Sequence, residues 1–182
     1  MALCGISSGF DFDCNSLKRV SGVKKVWLFN LDDLASQIDP NGTGYVTGLE
    51  FSGYDGLYSV DSRKFSHDAT STLNVAESGA VTWQQAVTLR LFVDTPTEVA
   101  TLSDLAVATV GAIVLTNNNE FRIYGAEAGL SANAGTSPTG RNQGEDTTTT
   151  ITLGGEEKLP YRIFLRNGDF NTSLAYIEAL EF

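Results

Sequence analysis

"FSHDATSTLNVAESGAVTWQQAVTLRLFV", residues 65–93, decides the architecture. Phe65, His67, Ala69, Ser71, Leu73 and Val75 alternate with Ser66, Asp68, Thr70, Thr72 and Asn74. After "AESGA" the alternation resumes. Val81, Trp83, Val87, Leu89, Leu91 and Val93 take one side and Thr82, Gln84, Ala86, Thr88 and Arg90 the other, with Gln85 the exception. Successive side chains of a strand point to opposite faces, so a period of two over this length predicts a long β-hairpin, apolar on one face and polar on the other. Its second strand, at roughly 3.3 Å per residue, would reach about 43 Å, about twice the usual strand. Such a hairpin either bends around a core or projects to pair with something else.

Turn phrases around it ("NGTG", "ESGA", "TNNN", "RNGD") separate further strand-like runs, so the chain is expected to be mainly β. "VKKVWLFNL" (23–31) reads as a first strand and "LDDLASQI" (31–38) as a helical turn or short helix. "GYVTGLEF" (44–51) and "GLYSVDS" (56–62) follow as strands. "TPTEVATLSDLA" carries helix-start signals: Thr95 as N-cap, Pro96 at the first position and Glu98 closing a capping box. "ATVGAIVLT-NNN-EFRIYG" reads as a hairpin whose first strand, apolar at consecutive positions, is buried on both faces. Residues 131–146 read as a polar, Gly-rich loop, 147–153 as a strand, and "YRIFLRNGDFNTSLAYIEALEF" as closing strands around an Asn-Gly turn. The expected division is an N-terminal arm, 1–20, and one domain, 21–182.

At 182 residues, the chain is long enough for a real core. The apolar run Leu105–Leu115 is shorter than the roughly 20 residues of a spanning helix, and the first residues lack the basic start and long apolar stretch of a signal peptide. Net charge is −10 and the pI about 4.4, against a chain that grips nucleic acid or an anionic membrane. Cys4 and Cys14 are the only cysteines; a disulfide between them is one reading, and free thiols, as in a chain made in the cytoplasm, the preferred one.

"DPNGTGYVTGLEF" (39–51) has the spacing of an EF-hand calcium loop, with Asp39, Asn41, Thr43, Tyr45 and Glu50 as candidate ligands and Gly44 at the sharp turn. It offers only two carboxylates, and glycines at 53 and 56 oppose the helix such a loop needs, so the expected structure is a turn entering a strand. The lone His67 sits in a strand-like phrase. There is no G-x-S-x-G elbow and no phosphate-binding G-x-x-x-x-G-K-[ST]. No enzyme and no cofactor are expected. What remains is interface evidence: a two-faced hairpin, a long polar loop, an arm and an acidic surface. Exposed β edges are a liability unless paired, and pairing copies in a ring abolishes them. In such a ring Thr70, Thr72, Asn74, Thr82, Gln84 and Thr88 would line a water-filled lumen. Leu73, Val75, Trp83, Val87, Leu89 and Leu91 would pack under the helix at 96–106.

The order of "VWLFNLDDL", the alternating hairpin, "TPTEVATLSDLA", "VGAIVLTNNNEFRIYGAEAGL" and "SPTGRNQGEDTTTTITLGGEEKLPYRIF" resembles the tail tube (major tail) proteins of tailed bacteriophages, over roughly residues 20–165. The resemblance implies a β-sandwich with one flanking helix. It implies hexameric rings stacked into a tube, four strands per subunit joining one continuous barrel, and DNA sliding through without specific binding. The expected partners are copies of the chain and other phage tail proteins, and the expected location is the virion tail, assembled in the bacterial cytoplasm. The hairpin would join neighbours around the ring. The 131–146 loop, with Pro138, Arg141 and Asn142, would touch the next ring. Other readings are a tail terminator, connector or baseplate tube protein, and a calcium- or carbohydrate-binding β-sandwich.

Overall fold

The computed structural model describes residues 20–39, 44–52, 56–61, 66–139 and 148–182. All of the expected N-terminal arm except Val20, with Cys4 and Cys14, lies outside the described residues, as do Asn41, Thr43, Phe65, Arg141 and Asn142. In chain order the strands are β1 (Val23–Asn30), β2 (Leu34–Ile38), β3 (Tyr45–Val46), β4 (Gly48–Phe51), β5 (Tyr58–Val60), β6 (Asp68–Val75) and β7 (Val81–Leu91). Helix α1 (Pro96–Val107) follows, then β8 (Thr109–Thr116), β9 (Phe121–Tyr124), β10 (Leu130–Thr136), β11 (Thr149–Glu157), β12 (Arg162–Phe164) and helix α2 (Phe170–Ala179). The fold is mainly β, as expected. Among the described residues two α-helices flank the strands where one was expected.

Ten strands join one sheet that forks at β8. β1 lies along one edge of β8, from Val23 opposite Thr116 to Asn30 opposite Val110. On the other edge, β9 takes Ala112–Leu115 while β10 takes Thr109 and Val110. One arm then runs β9-β12-β3 and the other β10-β11-β7-β6, while β2 and β4 form a separate pair.

β8 is buried on both faces, as its unbroken apolar run predicts. Ile113 and Leu115 join Trp27, Phe29, Phe121 and Ile123 in one core, beneath α2. Val110, Ala112 and Val114 join Val26, Leu28 and Tyr124 in the other, with Val87, Leu89, Ile151 and Leu153 of the four-stranded arm. Gly111 lies opposite Phe29, where a Cβ would stand 2.1 Å from the ring, so only glycine lets that phenylalanine lie flat across β8.

Three local readings are corrected. Only Leu31–Asp33 makes a helical turn; Leu34–Ile38 is strand, because pairing Leu34 with Phe51 and Ile38 with Gly48 outweighs an i, i+4 spacing that suits either form. The loop expected from residue 131 is strand as far as Thr136. Its small residues pair with large ones, Ala132 with Leu153 and Gly135 with Ile151, so β11 supplies the bulk that β10 lacks. The closing strands are instead one short strand and α2. The Asn-Gly turn forms, with φ of 52° at Asn167 and 70° at Gly168. The next residue, Asp169, caps a helix by accepting the Thr172 N–H at 2.8 Å, and Phe170, Leu174 and Ile177 then face the core at helical spacing.

Candidate assembly surface

The hairpin forms as its alternation predicts. β6 pairs with β7 from Asp68 opposite Thr88 to Val75 opposite Val81, and Gly79, at φ 82°, turns the chain between them. β7 pairs in turn with β11, from Leu91 opposite Thr149 to Trp83 opposite Glu157, and β11 with β10. The result is a four-stranded antiparallel arm in the order β10-β11-β7-β6.

Its two faces differ. Thr70, Thr72, Asn74, Thr82, Gln84 and Thr88 share one face by register, and β11 continues it with Thr150 and Thr152. Thr88 and Thr152 share a hydroxyl hydrogen bond of 3.3 Å. The ionisable residues on this face are Asp68, Arg90 and Glu156, one positive against two negative, so its own charges are few and partly cancel. Uncharged hydroxyls and amides stay wet without attracting a polyanion.

The opposite face holds to the core only at its root. Val87 and Leu89 are buried in the second core, with Leu91, Leu102 and Leu105 packed beside them. Trp83 is half-buried, and Leu73, Val75 and Val81 are 50%, 60% and 55% exposed. α1 therefore covers the root of the apolar face but not the tip, which corrects the expectation that the whole face packs under the helix.

Gln85, the break in the pattern, points to the core side and is buried. Its Nε2 donates to the Leu159 and Pro160 carbonyls at 2.9 and 3.2 Å, and its Oε1 accepts the Gly125 N–H at 2.7 Å. Glu157, also buried, accepts the N–H groups of Glu127 and Ala128 at 2.8 and 2.9 Å. Both side chains tie the 125–129 turn to the arm. A lone amide in an apolar stripe was the only signal for this role. His67 accepts the Arg90 N–H on Nδ1 at 3.3 Å, and burial lowers its pKa, which holds it neutral.

The other candidates do not converge with this surface. Asp39 accepts the Gly44 N–H at 2.8 Å. Tyr45 is in β3 beside β12, and Glu50 is exposed on β4, accepting the Ser36 hydroxyl at 2.7 Å. Strands, not helices, flank that loop. Among the described residues no group of three or more His, Cys, Asp or Glu stands ready for a metal ion. Pro138 is exposed just beyond β10. Comparison with protein-family models, curated proteins and solved structures finds no match.

Proposed function

We propose that this chain is the tail tube subunit of a tailed bacteriophage, a structural virion protein that closes into rings, hexameric by the resemblance, and stacks them into the channel through which DNA leaves. One observation carries the proposal: the four-stranded arm ends in two open edges of opposite direction. Among the described residues β6 pairs only with β7, and β10 beyond Ser131 pairs only with β11. Four antiparallel strands are an even number. A second copy's β6 can therefore continue β10 in the antiparallel sense, and its own β10 is then open to the next copy. Such head-to-tail contacts close into a ring when the rotation allows. The threonine-rich, almost uncharged face would line the lumen, suiting DNA that must slide and not stick.

The test is electron microscopy of the purified chain, with light scattering on the same sample, and mass spectrometry of isolated tails. Rings or tubes, and an abundance among the highest in the tail, are expected. A chain that stays monomeric at high concentration and is missing from tails sinks the reading.

A further inference from the structure

α1 is a 12-residue helix without one buried residue. Helices of this length are marginal alone in water and are usually held by packing of an apolar face. Only Leu102 and Leu105 reach the second core. A groove of about 680 Å³ runs along the flank that carries Glu98, Thr101 and Leu105. At 3.6 residues per turn, Val99, Ser103 and Ala106 fall on the other flank, with Val107 beside them. α1 packs over β10, the strand whose edge beyond Ser131 is open among the described residues. Val99 is 56% and Val107 86% exposed. The hairpin tip is another uncovered apolar group, with Leu73, Val75 and Val81 on the core-side face of the arm.

Resting on the tube-subunit reading, we infer that α1 and the hairpin tip are two halves of one apolar contact between adjacent copies of this chain. Strand direction carries the inference. α1 ends at Val107, and two residues later Thr109 pairs with Ser131, so Val107 stands at the Ser131 end of β10. A neighbour's β6 that continues the sheet runs antiparallel to β10. Laid along the open stretch Ala132–Thr136, its Asp68 end lies towards Thr136 and its Val75 end towards Ser131. Leu73 and Val75 share the face of Val87 and Leu89, which is the face α1 covers. They arrive beside Ala106 and Val107. The contact removes from water the apolar side chains that each copy alone leaves bare.

The test is a crosslink. Leu73→Cys and Val107→Cys are combined in a chain carrying Cys4→Ser and Cys14→Ser, then oxidised after assembly. A disulfide needs Cα atoms roughly 4.4–6.8 Å apart, so it reports contact and not mere proximity. A ladder of covalent multimers is expected from the pair and none from either single cysteine. Rings or tubes that form with no covalent product overturn this contact and leave the tube reading standing; a wild-type chain that never assembles overturns both. A second measurement avoids cysteine. Leu73→Lys and Val107→Glu should each raise the concentration needed for assembly by about tenfold, because each strands a charge in an apolar contact, and the pair together should recover most of the loss. Singles that assemble like wild type overturn the contact.

Discussion

The two helices are of similar length and are held by opposite means. α2 buries Ser173 and Ile177, stacks Phe170 on Phe121 at 5.4 Å, and stacks Tyr176 on Phe164 at 5.8 Å. The Tyr176 hydroxyl also donates to the Leu49 carbonyl at 2.6 Å, tying α2 to β4. α1 has no fully buried residue, sets only Leu102 and Leu105 against the second core, and is fastened at its first turn. The Thr95 hydroxyl accepts the Glu98 N–H at 3.3 Å, and the Glu98 carboxylate accepts the N–H groups of Asp94 and Thr95, both at 2.8 Å. One helix is a lid on a finished core. The other carries a complete cap and sets only Leu102 and Leu105 against the core.

The sharpest way to break that contrast is to cut into both helices. Ile177→Ala removes a fully buried side chain and should cost about 2–5 kcal/mol in chemical denaturation of the isolated chain. Leu105→Ala removes a half-buried one and should cost less than about half as much. Equal losses would show that α1 is packed as tightly as α2. The weakness lies in the helix and not in the sheet under it. Gln85→Leu leaves the Gly125 N–H and two carbonyls without their partner, and should cost about 1–3 kcal/mol. Its neighbour Gln84, exposed on the polar face, should tolerate leucine within about 0.5 kcal/mol. If the two variants behave alike, Gln85 is not the tie that its hydrogen bonds indicate.

Removing a cap should separate the helices in a different way. Thr95→Ala should cost about 1 kcal/mol, and with so little packing beneath it α1 should lose amide-exchange protection along its length. Asp169→Ala deletes the equivalent cap of α2, whose carboxylate accepts the Thr172 N–H, at a similar cost. Exchange in α2 should speed up only in the first turn, because Leu174 and Ile177 hold the rest. Protection of α1 that survives Thr95→Ala would contradict the view that its cap holds it.

The same contrast explains what the sequence could and could not tell. α1 was legible because its signals are local: Thr95, Pro96 and Glu98 lie within four residues of one another. The hairpin was legible because a period of two is a property of the segment itself. The α2 segment reads as strand because its turn phrase, Asn167-Gly168, suits a strand reversal as well as a helix entry. Its helical face becomes visible only with Phe121 and Phe164 as partners. β10 reads as loop in sequence because Ser131, Ala132, Ala134 and Gly135 have little strand tendency of their own; the edge of β11, next to it in space but beyond the 137–148 segment in sequence, makes it a strand. At the candidate surface, the polar face could be read residue by residue. That Leu73, Val75 and Val81 lie uncovered at the tip depends on where the second core ends, which no periodicity encodes.

The smallest expected effect concerns how the end of α2 is fastened. Beyond the helix, Leu57 bridges to Glu181, and the Phe182 N–H donates to the Leu57 carbonyl at 2.9 Å. The Glu181 carboxylate takes hydrogen bonds from the Ser59 hydroxyl, the Trp27 indole at 3.0 Å and the Lys25 ammonium at 3.0 Å, which together lower its pKa to about 2. A carboxylate held below its unfolded value stabilises the fold above that value and loses the contribution as protons bind. Stability should therefore fall as the pH drops from about 4.5 towards 2. Glu98 and Asp169, also held low by the N–H groups they cap, titrate in the same direction, so the wild-type curve alone cannot separate them. The difference between wild type and Glu181→Gln can. It should shrink steadily across that acid range, because the glutamine has no proton to gain. Two curves that stay parallel down to pH 2 would mean that the carboxylate's charge contributes nothing to fastening the chain end over Trp27.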